Sequence, residues 1–177
     1  MAQAVTDTTW RPTVPVGAGP EMAALRPFHF DCGWTGTVTA GGMGPGSPAM
    51  AGVGRAVYRP IMDGAWLVGD FEQDQFVDGT RVITWQAHVV VGWDPRAGEY
   101  RATYVDNNGS AALLRGGIDG ARFILETLGD APARVRVTWE RLAPGRVRWR
   151  NDCSIGGGPW VLVEEYLCTP LQPRAER

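Results

Sequence analysis

Strict alternation of side chains across residues 81–93 is the sequence feature that most constrains the fold of this chain. A period of two is typical of a β-strand, because successive side chains of a strand point to opposite faces. The pattern leaves open which face is interior. One face carries Ile83, Trp85, Ala87, Val89, Val91 and Trp93, and the other carries Val82, Thr84, Gln86, His88, Val90 and Gly92.

Turn signals divide the rest of the chain into further strands. Gly, Pro, Asp and Asn concentrate at residues 94–98, 107–109 and 143–145, as expected between antiparallel neighbours. We predict an all-β fold, an up-and-down antiparallel barrel of about ten strands, because closure removes the free edges of a large sheet. The strand candidates are residues 28–40, 50–59, 65–72, 81–93, 99–106, 110–117, 121–128, 134–141, 146–152 and 160–168.

The length of 177 residues indicates one domain with its own core. Residues 1–20 are rich in Ala, Thr, Pro and Gly and are predicted to form an extended arm. Residues 21–170 are predicted to form the barrel domain, with one short helix over residues 21–25 at its start. Residues 171–177 read as a C-terminal tail, and His29 is expected at the barrel rim.

Composition and charge exclude several classes of function. The net charge of −2 offers no general attraction to nucleic acid or to anionic membranes, and no apolar run is long enough to cross a bilayer. The chain has no lysine, which excludes a Schiff-base lysine, a pyridoxal phosphate anchor and a Walker-type phosphate lysine. We therefore expect no cofactor, no metal site, no nucleic-acid partner and no membrane partner.

Cysteine usage and the first residues indicate a cytoplasmic protein. Cys32, Cys153 and Cys168 are odd in number and lack CxxC spacing, which favours reduced thiols over a disulfide framework. We find no secretory signal in residues 1–11. A row of arginines on alternate positions is interpreted as the solvated outer face of a sheet, in preference to a nucleic-acid face; its members are Arg134, Arg136, Arg146, Arg148 and Arg150.

Several short motifs resemble a known family. Cys32-Gly-Trp-Thr-Gly36 resembles the Gly-x-Trp opening of calycin-type barrels. Gly64-Ala-Trp66, Val91-Gly-Trp-Asp94, Glu99-Tyr100 and Asp106-Asn-Asn-Gly109 are similar to the DUF1579 family, over residues 28–166. The resemblance implies a lipocalin-like barrel with an internal cavity, and it implies no single reaction.

A more distant resemblance links the chain to nitrobindins, which carry haem. Their His-x-x-x-Gly-aromatic element looks like the stretch from His88 to Trp93. The histidine that ligates haem near their last strand has no counterpart here, because no histidine follows His88.

Aromatic residues are the candidates for a ligand-binding wall. The eight tryptophans fit either a packed barrel core or the lining of an apolar pocket. An inward-facing set would suit a flat, apolar ligand. We assign ligand binding to Trp34, Tyr58, Trp85, Tyr104, Trp139, Trp149, Asn151 and Tyr166.

Two residues are candidates for acid–base catalysis. Glu164 is predicted to share an inward face with Trp160, Leu162 and Tyr166, where burial among aromatic rings would raise its pKa. The alternatives are that Glu164 faces solvent or pairs with an arginine of residues 146–150. His88 has an intrinsic pKa near neutrality, but it faces outward if Trp85 faces the lumen.

The sequence therefore supports three functional hypotheses. The first is a barrel that binds an apolar or aromatic small molecule in its central cavity. The second is a cofactor-independent enzyme of secondary metabolism on the same barrel, an isomerase, cyclase or hydratase that uses Glu164 or His88. The third and weakest is a haem protein. The sequence leaves a homodimer open.

Overall fold

The structure, a computed structural model, describes residues 17–171. Within that range ten antiparallel strands form one closed barrel, and no helix is long and apolar enough to span a membrane. The elements are α1 (Pro20–Ala24), β1 (Cys32–Val38), β2 (Met50–Ile61), β3 (Trp66–Val77), β4 (Thr80–Asp94), β5 (Glu99–Asp106), β6 (Ala111–Asp119), β7 (Arg122–Thr127), β8 (Ala133–Ala143), β9 (Arg146–Ile155) and β10 (Val161–Pro170), with a 3₁₀ turn at Met62–Gly64.

The strands follow one another around the barrel in chain order, and β1 closes it by pairing with both β2 and β10. The prediction of an all-β, up-and-down antiparallel barrel is confirmed. The structure also shows which face of residues 81–93 is interior. Ala87 and Val91 are buried inside, whereas His88 lies on the outer face with Asp70.

The third strand is longer than predicted. β3 continues through Val77 because the acidic residues Asp70, Glu72 and Asp74 occupy its outer face, not a turn. Their inward-facing neighbours are two buried glutamines, Gln73 and Gln75.

Glycines on β1 and β2 let two aromatic rings lie against the inner surface where the barrel closes. A β-carbon at Gly52 would lie 2.8 Å from the Tyr166 ring, and one at Gly54 would lie 2.6 Å from the Trp34 ring. Gly36 pairs with Gly52 on one side and with Tyr166 on the other. These positions form a glycine seam that no larger residue could occupy without moving the rings.

The segment after α1 closes one end of the barrel. Leu25 and Phe28 are buried there, and the Tyr100 hydroxyl of β5 donates to the carbonyl of Glu21 at 2.6 Å. Residues 1–16 of the predicted arm and residues 172–177 of the predicted tail lie outside the described residues. Strand ends and loops at the opposite end form what we call the mouth.

His29 is part of this closed end and not of an exposed rim, so that expectation is wrong. It is 8% exposed and its ring packs among the rings of Tyr58, Phe123 and Trp139, with centroids 5.0–5.3 Å apart. Burial lowers the pKa of His29 to about 4, although a hydrogen bond with the backbone of Leu25 acts in the opposite direction. The side chain is therefore neutral at pH 7.

The arginine row lies on the outer face of β8 and β9, where acidic side chains neutralise much of it. Arg136 contacts Glu126 at 2.7 Å, and Arg150 contacts Asp152 at 2.8 Å. Trp160 stacks on this outer face, with its ring 4.1 Å from the guanidinium carbon of Arg136. These contacts agree with a solvated outer face.

Two adjacent glycines on β6 give a matched test of strand packing. A methyl group at Gly116 would overlap the carbonyl oxygen of Ile124 on β7, whereas one at Gly117 would meet nothing. We expect Gly116→Ala to lower the free energy of unfolding by roughly 1–3 kcal/mol. Gly117→Ala should be neutral or slightly stabilising, because alanine reduces the entropy of the unfolded chain. Urea unfolding of both variants measures the difference, and equal stabilities would contradict the described β6–β7 contact.

Candidate ligand site in the barrel lumen

A mainly apolar cavity lies in the middle of the barrel. The space in it that can take water molecules is about 20 Å³, enough for about one. All the space between its atoms, part of which is open to solvent, amounts to about 370 Å³. Its wall consists of Phe28, Cys32, Trp34, Tyr58, Phe71, Gln73, Trp85, Trp139, Trp149, Tyr166 and Cys168.

A chain of hydrogen bonds crosses this wall and ends on Glu164. Trp34 Nε1 donates to Gln73 Oε1, and Gln73 Nε2 donates to the Tyr166 hydroxyl oxygen, each at 2.8 Å. The Tyr166 hydroxyl then donates to Glu164 Oε2 at 2.5 Å. Because an indole N–H can only donate, it fixes the orientation of the Gln73 amide. Each following proton then points toward the carboxylate.

Glu164 is a buried carboxylate held by neutral donors. It is 8% exposed, and Asn151 Nδ2 donates to its Oε1 at 3.2 Å. None of the ion pairs among residues 17–171 includes it. Burial raises the pKa of Glu164, and the hydrogen bonds from Tyr166, Asn151 and Gln73 offset only part of that effect. Burial, together with the nearby Glu164 charge, also raises the pKa of Tyr166.

A β-bulge turns Glu164 into the lumen. Leu162 pairs with Asp152 on β9, whereas Glu164 pairs with Asn151, so Val163 is an extra residue between the two pairs. The bulge is held from β1: Thr39 Oγ1 donates to the Leu162 carbonyl and the Thr39 backbone N–H donates to the Val163 carbonyl, both at 2.8 Å. Both carbonyl groups at the bulge therefore accept a hydrogen bond.

The bulge overturns part of the predicted parity on β10. Trp160 and Leu162 do not share the inward face with Glu164, because Trp160 packs on the outer arginines and Leu162 lies opposite Asp152. Tyr166 does share that face. Glu164 is thus inward as predicted, but for a different reason.

A second carboxylate, Asp106, lies at the mouth end of β5 and organises two wall residues. Its Oδ2 accepts from Trp85 Nε1 at 3.3 Å and from the Tyr104 hydroxyl at 2.5 Å. Its Oδ1 accepts from the backbone N–H groups of Asn108 and Ser110 at 2.9 Å. Burial would raise the pKa of Asp106, but these hydrogen bonds outweigh it and lower the pKa. Asp106 is therefore ionised and its acceptor positions are already used.

Inward-facing residues near the mouth remain partly accessible to solvent. Trp85, Tyr104, Ala112, Trp149 and Asn151 are half-buried, whereas Trp34, Trp139 and Tyr166, deeper in the wall, are buried. Trp34, Trp139 and Tyr166 are therefore better shielded from solvent than the residues near the mouth.

The structure brings together most of the predicted ligand-binding residues. Trp34, Tyr58, Trp85, Trp139, Trp149 and Tyr166 line the cavity. Tyr104 and Asn151 adjoin it, since Tyr104 stacks on Trp85 with centroids 6.4 Å apart and Asn151 bonds Glu164.

The two predicted catalytic residues do not share a site. His88 Nδ1 lies 2.6 Å from Asp70 Oδ1 on the outer face, with both side chains about half-exposed. The lumen therefore contains Glu164 without His88, and a single mechanism that uses both residues is excluded by their placement.

Sequence reasoning missed Gln73 and Gln75, which are 1% and 2% exposed. Gln73 links Trp34 to Tyr166, and Gln75 Oε1 is buried without a hydrogen-bond partner. The alternation that continues beyond Glu72 could have identified them, because Gln73 and Gln75 lie at alternate positions after Phe71 and face inward as it does. Their polarity made these positions look like part of a solvated turn.

Haem, which the resemblance to nitrobindins implies, does not fit the residues present. His88 points away from the lumen, and the ring of His29 is enclosed by aromatic rings. Neither histidine is among the residues that line the lumen cavity.

The sequence matches the model of a known protein family. The model of the family described as "Protein of unknown function (DUF1579)" matches residues 29–143, from the closed end through β8. The chain belongs to the DUF1579 family. Among curated proteins, none matches the sequence.

Among solved structures, the DUF1579 chain is similar to the crystal structure of Rv2717c from M. tuberculosis. The two share 13% sequence identity with a TM-score of 0.63, over 88% of this chain and 99% of that chain. At this identity the similarity shows a common fold.

The raised pKa of Glu164 predicts how stability depends on pH. A carboxyl group whose folded-state pKa is raised binds more protons in the folded state, so stability falls as pH rises from the unfolded pKa of about 4.5 through the folded pKa. We expect Glu164→Gln to melt at a higher temperature than the wild type at pH 8. The two should converge below about pH 4.5.

Glu165→Gln is the control, because Glu165 is adjacent on β10 but lies on the outer face, 3.9 Å from Arg150. Thermal melts from pH 4 to pH 9 measure the effect. A Glu164→Gln variant that is less stable than the wild type at pH 8 would show instead that the ionised carboxylate stabilises the fold.

Proposed function

We propose that this DUF1579 barrel binds a small, flat, apolar molecule through its mouth, with Glu164 as the polar group that orients it. The observation that supports this most is the placement of one uncompensated carboxylate inside a wall of aromatic rings. Ligand sites typically combine an apolar lining with a few polar groups that fix orientation.

The geometry of the wall favours a flat ligand. Two stacked pairs present ring faces along the inner surface: Trp85 with Tyr104, and Trp149 with Tyr166, the latter inclined by 18°. Ring faces prefer to be covered by other flat groups in offset or edge contacts. Trp85, Tyr104 and Trp149 are also half-buried, so part of their surface is available to a ligand.

The size of the pocket limits where the ligand lies. The space of about 20 Å³ takes little more than a water molecule, so a ligand needs side chains of the wall to move. Trp85, Tyr104 and Trp149 are half-buried, so their displacement costs less packing than displacement of the buried Trp34 or Trp139. We infer that the rings near the mouth adjust when the ligand enters.

A second candidate function is a cofactor-independent acid–base enzyme, an isomerase, cyclase or hydratase. The observation that favours it is that Glu164 is buried among aromatic rings, where burial raises its pKa, as a general acid or base requires. Tyr166 and Asn151 hold the two carboxylate oxygens in fixed positions. Such a group positions a proton without help from His88.

Binding to the lumen is tested with N-phenyl-1-naphthylamine, a neutral aromatic probe whose fluorescence rises in apolar surroundings. Ala112 faces the lumen opposite Tyr104, and Ala111, its neighbour on β6, is exposed on the outer face. We expect saturable binding by the wild type. Ala112→Phe should fill the space beside Tyr104 and weaken binding at least tenfold, whereas Ala111→Phe should bind like the wild type.

The paired variants separate the lumen from the outer surface. Circular dichroism confirms that both retain the barrel before the titration. Equal loss of binding in both variants, or no saturable binding by the wild type, would contradict a ligand site in the lumen.

A further inference from the structure

We propose that the ligand of the lumen site is an organic cation with a flat aromatic body. This inference rests on the proposed function and adds the chemical class of the ligand. It follows from the charges, the free hydrogen-bonding atoms and the ring faces around Glu164.

The charge of the lumen is negative and lacks a partner within the described chain. Among the described residues no arginine lines the cavity, and Arg136, Arg148 and Arg150 contact acidic residues outside. His29 is neutral at the closed end. Asp106 is ionised near the mouth, and Glu164 acquires a negative charge when it loses its proton. A buried charge without a partner is unfavourable, and a ligand cation is the partner that the chain itself does not supply.

Two buried acceptors on inward positions lack a hydrogen-bond partner among the described residues. They are Oδ1 of Asn151, whose Nδ2 donates to Glu164, and Oε1 of Gln75 on β3. The donors Trp34 Nε1 and the Tyr166 hydroxyl are already used within the chain of hydrogen bonds. Free acceptors favour a ligand that is positively charged or carries N–H groups.

The aromatic walls suit the same ligand. The face of a tryptophan or tyrosine ring attracts a cation electrostatically, and the attraction grows when the pair is removed from water. The Tyr104 hydroxyl donates to Asp106, and Tyr104 lies near enough to Glu164 for that charge also to act on it. A flat cation beside Tyr104 would therefore meet an aromatic ring close to both carboxylates.

The titratable groups around Glu164 allow a pH test. Burial, and then the nearby carboxylates, raise the pKa values of Tyr166, on the same strand as Glu164, and of Tyr104 on β5. Both tyrosines therefore stay neutral up to pH 9. Asp106 on β5 stays ionised above pH 5. Deeper in the cavity lie Tyr58, Cys32 and Cys168, and His29 is neutral above pH 5. A permanent cation should therefore bind more tightly as pH rises and Glu164 ionises.

The experiment compares three probes of the same shape by displacement of N-phenyl-1-naphthylamine. N-methylquinolinium is a permanent cation, 1-methylnaphthalene is its neutral isostere, and 1-naphthoate is an anion. We expect the cation to bind the wild type at least tenfold more tightly than the neutral isostere, and the anion to bind most weakly. The affinity for the cation should rise between pH 5 and pH 9, while that for 1-methylnaphthalene stays constant.

Adjacent glutamates provide the matched variants. Glu164→Gln should bring the affinity for the cation within about twofold of the affinity for the neutral isostere. Glu165→Gln, on the outer face, should keep the wild-type preference and its pH dependence. Retention of the full cation preference in Glu164→Gln would overturn the role of Glu164.

The outcomes separate the two proposals. If N-phenyl-1-naphthylamine binds and the cation is no tighter than its isostere in the wild type, the inference about charge is wrong and the binding function stands. If N-phenyl-1-naphthylamine does not bind, the proposed function itself is wrong. The comparison of probes and its pH dependence use the wild type alone, so they decide the matter even if Glu164→Gln does not fold.

Discussion

Glu164 is a carboxylate that folding buries without a positive partner, and much of the inner surface is arranged around that constraint. Its two oxygens accept hydrogen bonds from Tyr166 and Asn151, and the chain of donors begins at Trp34. The glycine seam leaves room for the rings of Trp34 and Tyr166 against β1 and β2. A side chain at Gly52 would move Tyr166, and with it the hydroxyl that donates to the carboxylate.

The fold was largely predictable from the sequence because a closed barrel of this size repeats one local pattern. Alternation locates strands, and Gly, Pro and Asn mark the turns between them. The prediction failed where the inner residues were polar. β3 carries acids outside and the glutamines Gln73 and Gln75 inside, so its second half showed no contrast between an apolar and a polar face.

The site was predictable only in part, because sequence shows which residue types can line a lumen but not which side chains meet. The aromatic residues were found by parity. The chain from Trp34 through Gln73 to Tyr166 links β1, β3 and β10, which are distant in sequence. Likewise, the position of His29 inside the closed end depends on rings from β2, β7 and β8, which no local pattern reveals.

The bulge on β10 shows that the inward position of Glu164 is not a by-product of regular alternation. With Leu162 opposite Asp152, an unbroken ladder would place Glu164 opposite Arg150, on the outer face where an ion pair is available. The extra residue Val163 moves Glu165 to that position and turns Glu164 into the lumen, and Thr39 bonds the displaced carbonyls. Bulges commonly re-aim side chains next to active sites. A barrel shaped for stability alone would gain by leaving this carboxylate beside the arginine, and its burial among aromatic rings is the feature for which the proposed ligand site would account.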